Sequence, residues 1–480
     1  MLSIFYDLET TDLNPVGQIL NFAFVTVDES WEVISDFTGK IRLSRLQIPQ
    51  PGALLANRTN IIAHQATAQY SEAEAMYRIR SYLQEIVDHE TEPVIFAGYN
   101  STRFDLPFLR TSMIRNGIEP YFTKGRLVYR DVLHVSQRLA ASDPEFQETV
   151  GLGKSLSLQN TTRAHELLRG DQQHESKADV MLTIELAKLY AQHYGIDIRT
   201  WNQYEPAVNE TIESLQIVNR IYPQYDANHH KNPEEATTPR SKMVLYESEF
   251  GQALWIDLDR FEKKEPIRSC VFWYNEKTSP FFVESTSKTS EDIELGFAAC
   301  EAAQAADICL KTFFGPKNCD IEQFIYDVSI NERRALYDAI WIKDPSTLKK
   351  MNSKNGSKVY LRWLAANKPL EDKIGDIFTN YALYRYGGKL KLNKYDFDEQ
   401  YQEGVYSESF HRTYNEIIEE IDHKLDGLRN GIHDCSFTND LRRAEDENIL
   451  VALKEYIENS DITKFVGTQL KQIVRKKADV

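Results

Sequence analysis

Apolar and polar positions divide this chain into three zones. Residues 2–6 (LSIFY) make an apolar run of strand length. "ILNFAFVTVD" (19–28) and "EVISDFTGKIRL" (32–43) read as two more strands, with a hairpin turn near Glu29–Trp31. "PQPGALL" (49–55) is a Pro/Gly turn entering a helix. In "SEAEAMYRIRSYLQEIV" (71–87), Ala75, Ile79, Tyr82, Leu83 and Ile86 recur at helical spacing. A short apolar strand, "PVIFAGYN" (93–100), precedes a helix in "FDLPFLRTSMIRNG" (104–117), for which Gly117 is the expected C′ residue. "SKADVMLTIELAKLY" (176–190) sets Ala178, Met181, Leu182, Leu186 and Leu189 on one helical face. Three strands followed by alternating helix and strand predict a mixed central sheet flanked by helices, an α/β domain over residues 1–200.

The second zone, 201–318, begins with a polar stretch at 226–242 (DANHHKNPEEATTPRSK) that reads as a linker. "KMVLYE", "ALWIDL", "SCVFWYN" and "PFFVES" then predict a small β domain, and "GFAACEAAQAAD" one helix. In the third zone, 319–480, "NERRALYDAIWI", "TYNEIIEEIDHKLDGLRNGI" and "ENILVALKEYIENS" predict an all-α domain.

Composition changes this picture little. The 480 residues are 42% hydrophobic, enough for three cores. A net charge of −16 means that any nucleic-acid surface is a local basic stripe on a repelling whole. The five cysteines (Cys270, Cys300, Cys309, Cys319 and Cys435) form no CxxC pair, which argues against a zinc ribbon and fits reduced thiols in a cytoplasmic protein. No apolar stretch reaches the roughly 18 residues of a membrane span. An acidic pair close to the N-terminus makes a cleaved signal unexpected.

That acidic pair carries the chemistry. In "FYDLETTDL" (5–13), Asp7 and Glu9 point the same way from a strand, with Cα atoms roughly 7 Å apart. Two carboxylates so placed can share a pair of hard cations, which two-metal phosphoryl sites hold about 3.5–4 Å apart. They can equally be a solvated strand face. Asp105, in "GYNSTRFD" (98–105), opens a helix that Pro107 helps to start, where an N-cap role alone would account for it. In "HESKAD" (174–179), Asp179 suits the first turn of its helix, and His174 falls on the preceding loop, where a lone histidine is usually just exposed.

Together, in this order, the three motifs resemble those of the DEDDh 3′→5′ exonucleases, which have a ribonuclease H-like fold. Within that superfamily the chain is most similar to the exodeoxyribonuclease I family, on "PQPGALL", "GYNSTRFD", "RNGIEPY" (115–121), "LYDAIWIKDPSTL" (336–348) and "NYALYRYGGKL" (380–390). The resemblance implies an exonuclease domain, a small Src-homology-like β-barrel and a helical domain that closes a single-strand DNA channel. It implies catalysis by Asp7, Glu9, Asp105, His174 and Asp179, with two Mg²⁺ ions (Mn²⁺ substituting) on the four carboxylates. It implies substrate contacts from Glu9, Thr10, Thr11, Arg110, Tyr121, Ser157, Tyr384 and Arg385, of which Arg pairs with phosphates and Tyr stacks on bases. "YRYGGKLKLNKY" (384–395) interleaves aromatic and basic residues as a single-strand groove requires. The expected activity is single-strand-specific 3′→5′ hydrolysis of DNA to 5′-mononucleotides in repair or recombination. The expected protein is a monomer that docks the tail of single-stranded DNA-binding protein, with Arg333, Arg334 and Lys343 as candidate receivers.

The pattern also departs from the family. In "KSLSLQNTTRAHELL" (154–168), Ser157 stands where the family has a substrate-binding arginine and Gln159 where it has a glutamate, so that the arginine's contact is either missing or supplied by Lys154 or Arg163. The same five catalytic residues serve RNA trimming, so an RNA exonuclease is the first alternative, and a non-catalytic single-strand-binding scaffold the second. If His174 is the general base, His174→Ala lowers Mg²⁺-dependent turnover by about 10²–10⁴-fold while single-strand binding persists. Steady-state hydrolysis and oligonucleotide binding, measured side by side, check this.

Overall fold

The computed structural model describes residues 1–13, 17–43, 48–116, 118, 120, 122–151, 154–168, 176–201, 215–221, 240–249, 252–275, 282–285, 287–310, 405–430 and 440–459. The first unit is built on strands β1 (Ser3–Thr10), β2 (Ile19–Val27), β3 (Val33–Lys40), β4 (Val94–Gly98) and β5 (Leu127–Asp131). Their order is β3-β2-β1-β4-β5. The hairpin strands pair antiparallel, whereas β1–β4 and β4–β5 pair parallel. This is the mixed sheet that the strand–helix order predicts. Helices α1 (Pro51–Ala56), α2 (Ile61–Thr67), α3 (Glu72–His89), α4 (Asp105–Arg115), α5 (Val132–Ser142), α6 (Pro144–Val150), α7 (Leu158–Ala164) and α8 (Ser176–His193) accompany it. The sequence reading missed α2, β5, α6 and α7, which are short, and also α5, whose Val132, Val135 and Leu139 do recur at helical spacing. Caps mark several of them instead, such as Asn60 on α2 and Asp143 on α6.

Side-chain alternation gives β1 two separate cores. Ile4, Tyr6 and Leu8 pack with Phe22, Phe24 and Phe96 against α3 and α4, through Ile79, Leu83, Phe108 and Met113. Phe5 packs the other way, with Ala23, Val25 and Ala97, against Val135 and Leu139 of α5 and Val180, Ile184 and Tyr190 of α8. Asp7 and Glu9 share the parity of Phe5, so the strand carries them to the α8 face.

Helix α8 lies rotated from the face its apolar spacing predicts. Ser176, Asp179, Val180, Thr183, Ile184, Ala187 and Tyr190 are buried with Leu186, while Met181, Leu182 and Leu189 pack only at the margin of the same core. The apolar stripe is wide enough for either orientation, and the one adopted buries Asp179. Thr183 lies on the same face and satisfies its hydroxyl within the helix, on the Asp179 carbonyl (2.8 Å).

The second unit is a small antiparallel, barrel-like sheet of β6 (Ile217–Ile221), β7 (Arg240–Glu249), β8 (Gln252–Asp257), β9 (Val271–Asn275) and β10 (Phe282–Ser285), in the order β10-β6-β7-β8-β9. Strand β6 was not foreseen, and β7 begins within the expected linker. One face packs on α9 (Leu258–Glu262), α10 (Ile267–Cys270) and α11 (Ser290–Ala305) through Val244, Leu254, Ala299 and Ala303. A Thr289–Asp292 capping box starts α11, the helix expected from the Ala-rich run.

Two of the predicted C-terminal helices are described, as α12 (Val405–Asn430) and α13 (Asp440–Asn459). They pair with each other, and α13 also packs on α1 and α2 of the first unit. Ile417, Ile421, Leu425 and Leu428 of α12 and Ile449, Leu450, Leu453 and Ile457 of α13 are buried at helical spacing. The helix expected at 331–342 and the basic-aromatic segment at 384–395 lie outside the described residues. Among the described residues no helix is long and apolar enough to cross a membrane. Cys270, Cys300 and Cys309 are free thiols.

Gly98 ends β4 beside the acidic strand. A Cβ there would fall 2.7 Å from the Tyr6 carbonyl oxygen and 2.6 Å from Ser101 Cβ, so β1 and β4 would have to part. Gly98→Ala is therefore expected to destabilise the fold by about 1–3 kcal/mol, as read by chemical denaturation.

Candidate metal centre

Strand β1 ends in a local irregularity that sets its acidic side chains. The pairing with β2 shifts register between Glu9 and Thr10. The threonines that follow hold the turn. Thr10 Oγ1 donates to the Asp12 carbonyl (2.8 Å), Thr11 Oγ1 accepts from the Gln18 amide (2.9 Å), and the Thr11 amide donates to the Gln18 carbonyl (2.9 Å). Both hydroxyls, proposed as substrate contacts from the sequence, are buried and engaged in building the end of β1.

Across the sheet, α8 presents Asp179 in its first turn. One carboxylate oxygen from each of Asp7, Glu9 and Asp179 lies within 4.8 Å of the other two. The fourth predicted acid, Asp105, opens α4 on the opposite side of β1. Its Oδ1 accepts the Leu8 amide (2.9 Å), so it reaches between Asp7 and Glu9 along the strand. An N-cap role does not account for this residue, because the bond spans two distant elements.

The electrostatics are those of like charges removed from water. Burial, then the charge of Asp179, pushes Asp7 up to about 8, with the Ser176 hydroxyl opposing. Burial raises Glu9 well above the usual carboxylate range, and Asp7, Asp179 and Asp105 add to it. Burial and then Asp7 raise Asp105, against the pull of the Leu8 amide. Among the described residues, every charged neighbour acting on Asp7 and Glu9 is another carboxylate. The donor set is all oxygen and strongly anionic, which fits a hard divalent cation such as Mg²⁺ or Mn²⁺ better than Zn²⁺.

The remaining predicted residues separate into three groups. Arg110 stacks its guanidinium 4.8 Å over the Tyr129 ring. Ser157 caps α7 by accepting the Asn160 amide (3.2 Å). His174, Tyr121, Tyr384 and Arg385 lie outside the described residues.

Sequence reasoning missed Asp131. This fully buried residue accepts the Asn100 amide (2.8 Å) and Leu133 amide (3.0 Å) on Oδ1, and the Thr102 amide (3.0 Å) and hydroxyl (2.8 Å) on Oδ2. It thereby suspends the loop between β4 and α4 that delivers Asp105. Its capping of α5 was legible in "RDVLHV", an aspartate between a strand and an apolar helix, but its reach to the loop was not.

The raised carboxylates make the metal-free fold sensitive to pH. Between the usual carboxylate range and about pH 8, the folded protein holds a proton on Asp7 that the unfolded chain has lost, so stability falls as pH rises through this window. Mg²⁺ is expected to raise the melting temperature more at pH 8 than at pH 5. Asp7→Asn is expected to raise the metal-free melting temperature at pH 8, by about 2–4 °C per kcal/mol of repulsion removed, and to shrink the Mg²⁺ response. Thermal unfolding of both proteins with Mg²⁺ or EDTA checks each sign.

No family model and no curated protein matches the sequence. Solved structures do match the fold. A crystal structure of E. coli exonuclease I in complex with a 5cy-dA13 oligonucleotide superposes at a TM-score of 0.63 and 18% identity, covering 95% of this chain and 99% of that one. The zinc-ion-bound E. coli ExoI–ssDNA complex gives 0.60 at 17% identity, covering 95% and 98%. A product-bound exonuclease I structure gives 0.57 at 16% identity, covering 95% and 99%. At 16–18% identity the likeness to exonuclease I is one of fold.

Proposed function

We propose that this protein is a metal-dependent 3′→5′ exonuclease acting on single-stranded DNA. The observation that carries the reading is the convergence of Asp7, Glu9 and Asp179 within 4.8 Å, with Asp105 bonded to the strand between the first two. These are the four acids singled out by motif spacing, on a fold also seen in an exonuclease bound to oligonucleotides. Asp7, Glu9 and Asp179 would hold two Mg²⁺ ions with help from Asp105, and the ions would supply charge relief on the phosphate and on the departing oxygen.

The chain's own residues do the rest. The β1–α8 pairing fixes the ligand oxygens before substrate arrives, so little reorganisation is needed at the moment of reaction. The Leu8 amide keeps Asp105 in place. His174 takes the proton of the attacking water, since a neutral imidazole is available near pH 7. The new P–O bond forms on the terminal nucleotide as the P–O3′ bond breaks. The released product carries a 5′-phosphate, and the shortened strand keeps a free 3′-hydroxyl. The C-terminal helices, docked through α13 on α1 and α2, would favour a polymeric single strand over a small ester by closing a channel beside the first unit. A monomer working on repair or recombination intermediates, recruited by the tail of single-stranded DNA-binding protein, completes the reading.

A time course on 3′- and 5′-labelled DNA, single- and double-stranded, with Mg²⁺ or EDTA, tests it. Stepwise shortening of 5′-labelled single strands, early release of label from the 3′ end, resistance of duplex and arrest by EDTA are expected. A matched RNA strand is expected to be degraded more slowly. Binding without shortening, or equal degradation of RNA, would overturn the assignment.

A further inference from the structure

A cleft of about 620 Å³ opens beside the carboxylate cluster. Two of its lining residues border the cluster: Asn21 is the β2 partner of Glu9, and Ser176 acts on Asp7. The cluster is acidic, but the cleft is basic. Lys40 at the end of β3, Arg58 between α1 and α2, and Lys177 in the first turn of α8 line it, and Glu445 of α13 is the one carboxylate among its described residues.

Arg58 is the unusual member. Its φ of 51° lies in the left-handed region, where a residue with a Cβ is strained. The turn is pinned on both sides: Asn57 Nδ2 donates to the Thr10 carbonyl (2.9 Å), and the Thr59 amide to the Leu54 carbonyl (2.9 Å). The first of these bonds ties Arg58 to the end of the acidic strand. The side chain is 21% exposed, and its Nε is buried without a hydrogen-bond partner. Its contact with Glu445 is a loose one, at 4.0 Å. Lys177, by contrast, is closely engaged with Asp36 (2.6 Å). A strained, under-used guanidinium in a basic cleft beside a metal-binding cluster is completed by an anion with several oxygens, because Arg pairs with phosphate through parallel N–H bonds.

We propose that Arg58 is a phosphate-binding residue of this site, that the cleft takes a backbone phosphate of the single strand, and that Glu445 is the carboxylate the phosphate displaces. The proposal rests on the exonuclease reading above. In the free protein Glu445 keeps Arg58 turned into the cleft. When the strand enters, the guanidinium exchanges a distant carboxylate for a close phosphate, and the negative charge on α13 opposes that exchange.

Fluorescence anisotropy of a short 5′-labelled oligothymidylate, titrated with full-length protein in EDTA over a range of salt, tests this without turnover. Arg58→Gln is expected to weaken binding several-fold at low salt and to lower the slope of log affinity against log salt by about 0.7, the loss of one phosphate contact on a single strand. Arg58→Gly is expected to do the same with an undiminished melting temperature, since glycine accepts this φ, which separates loss of charge from loss of fold. Glu445→Gln is expected to tighten binding. An unchanged salt slope in both Arg58 variants, or a Glu445→Gln protein that binds as weakly as Arg58→Gln, would reduce the pair to a brace between α13 and the α1–α2 turn. A parent that binds and degrades the strand while the Arg58 variants match it would overturn this proposal alone. A parent that binds no single strand would overturn the exonuclease reading and this one with it.

Discussion

Mutual repulsion among buried carboxylates is the interaction around which the first unit is organised. Left to themselves in a poorly hydrated site, Asp7, Glu9, Asp105 and Asp179 would separate or take up protons. The fold holds them together with covalent and packing constraints from three directions. Strand β1 fixes two of them by alternation. The broad apolar stripe of α8 fixes the third. A backbone amide inside β1 fixes the fourth. Apart from the Leu8 amide, these constraints come from the aromatic and aliphatic cores on both faces of the sheet. A structure of this kind concentrates negative charge that a hard divalent cation could offset.

Much of this was legible along the chain, for identifiable reasons. The strand character of β1, β2 and β4 and the helix character of α3 and α8 follow from strong apolar patterns, and the acids at their ends follow from motif spacing. The orientation of α8 was not legible. Its stripe spans more than one face, and only the sheet beneath it decides which side is buried. Asp131 escaped for a different reason. Its local pattern advertises a helix cap, and the same carboxylate also reaches a loop some thirty positions earlier. Thr10, Thr11 and Ser157 show the converse. Residues nominated for substrate contact turn out to satisfy nearby backbone, a use that hydroxyl side chains commonly have.

The C-terminal helices bear on the site through packing as well as through the charge of Glu445. Helix α13 rests on α1 and α2, and the turn joining those two is bonded to the end of β1 by Asn57. A continuous path of packed elements therefore links a helix more than four hundred residues along the chain to the residues that follow Glu9. Arg58 and Glu445 sit at the joint. The region is two-faced, acidic at the carboxylate cluster and basic in the adjoining cleft, so opposite charges lie side by side despite the net negative charge of the whole protein.

The double duty of β1 also limits how this protein can change over evolutionary time. Its even positions belong to one core, and its odd positions first to the other core and then to the carboxylate cluster. Inserting or deleting one residue there would turn Tyr6 toward the acids and bring Asp7 into the oil beneath α3. Such a strand tolerates exchange of one side chain for another but not any alteration of length, so drift in this lineage is channelled into substitutions here and into lengthening or shortening of the segments that lie between the elements.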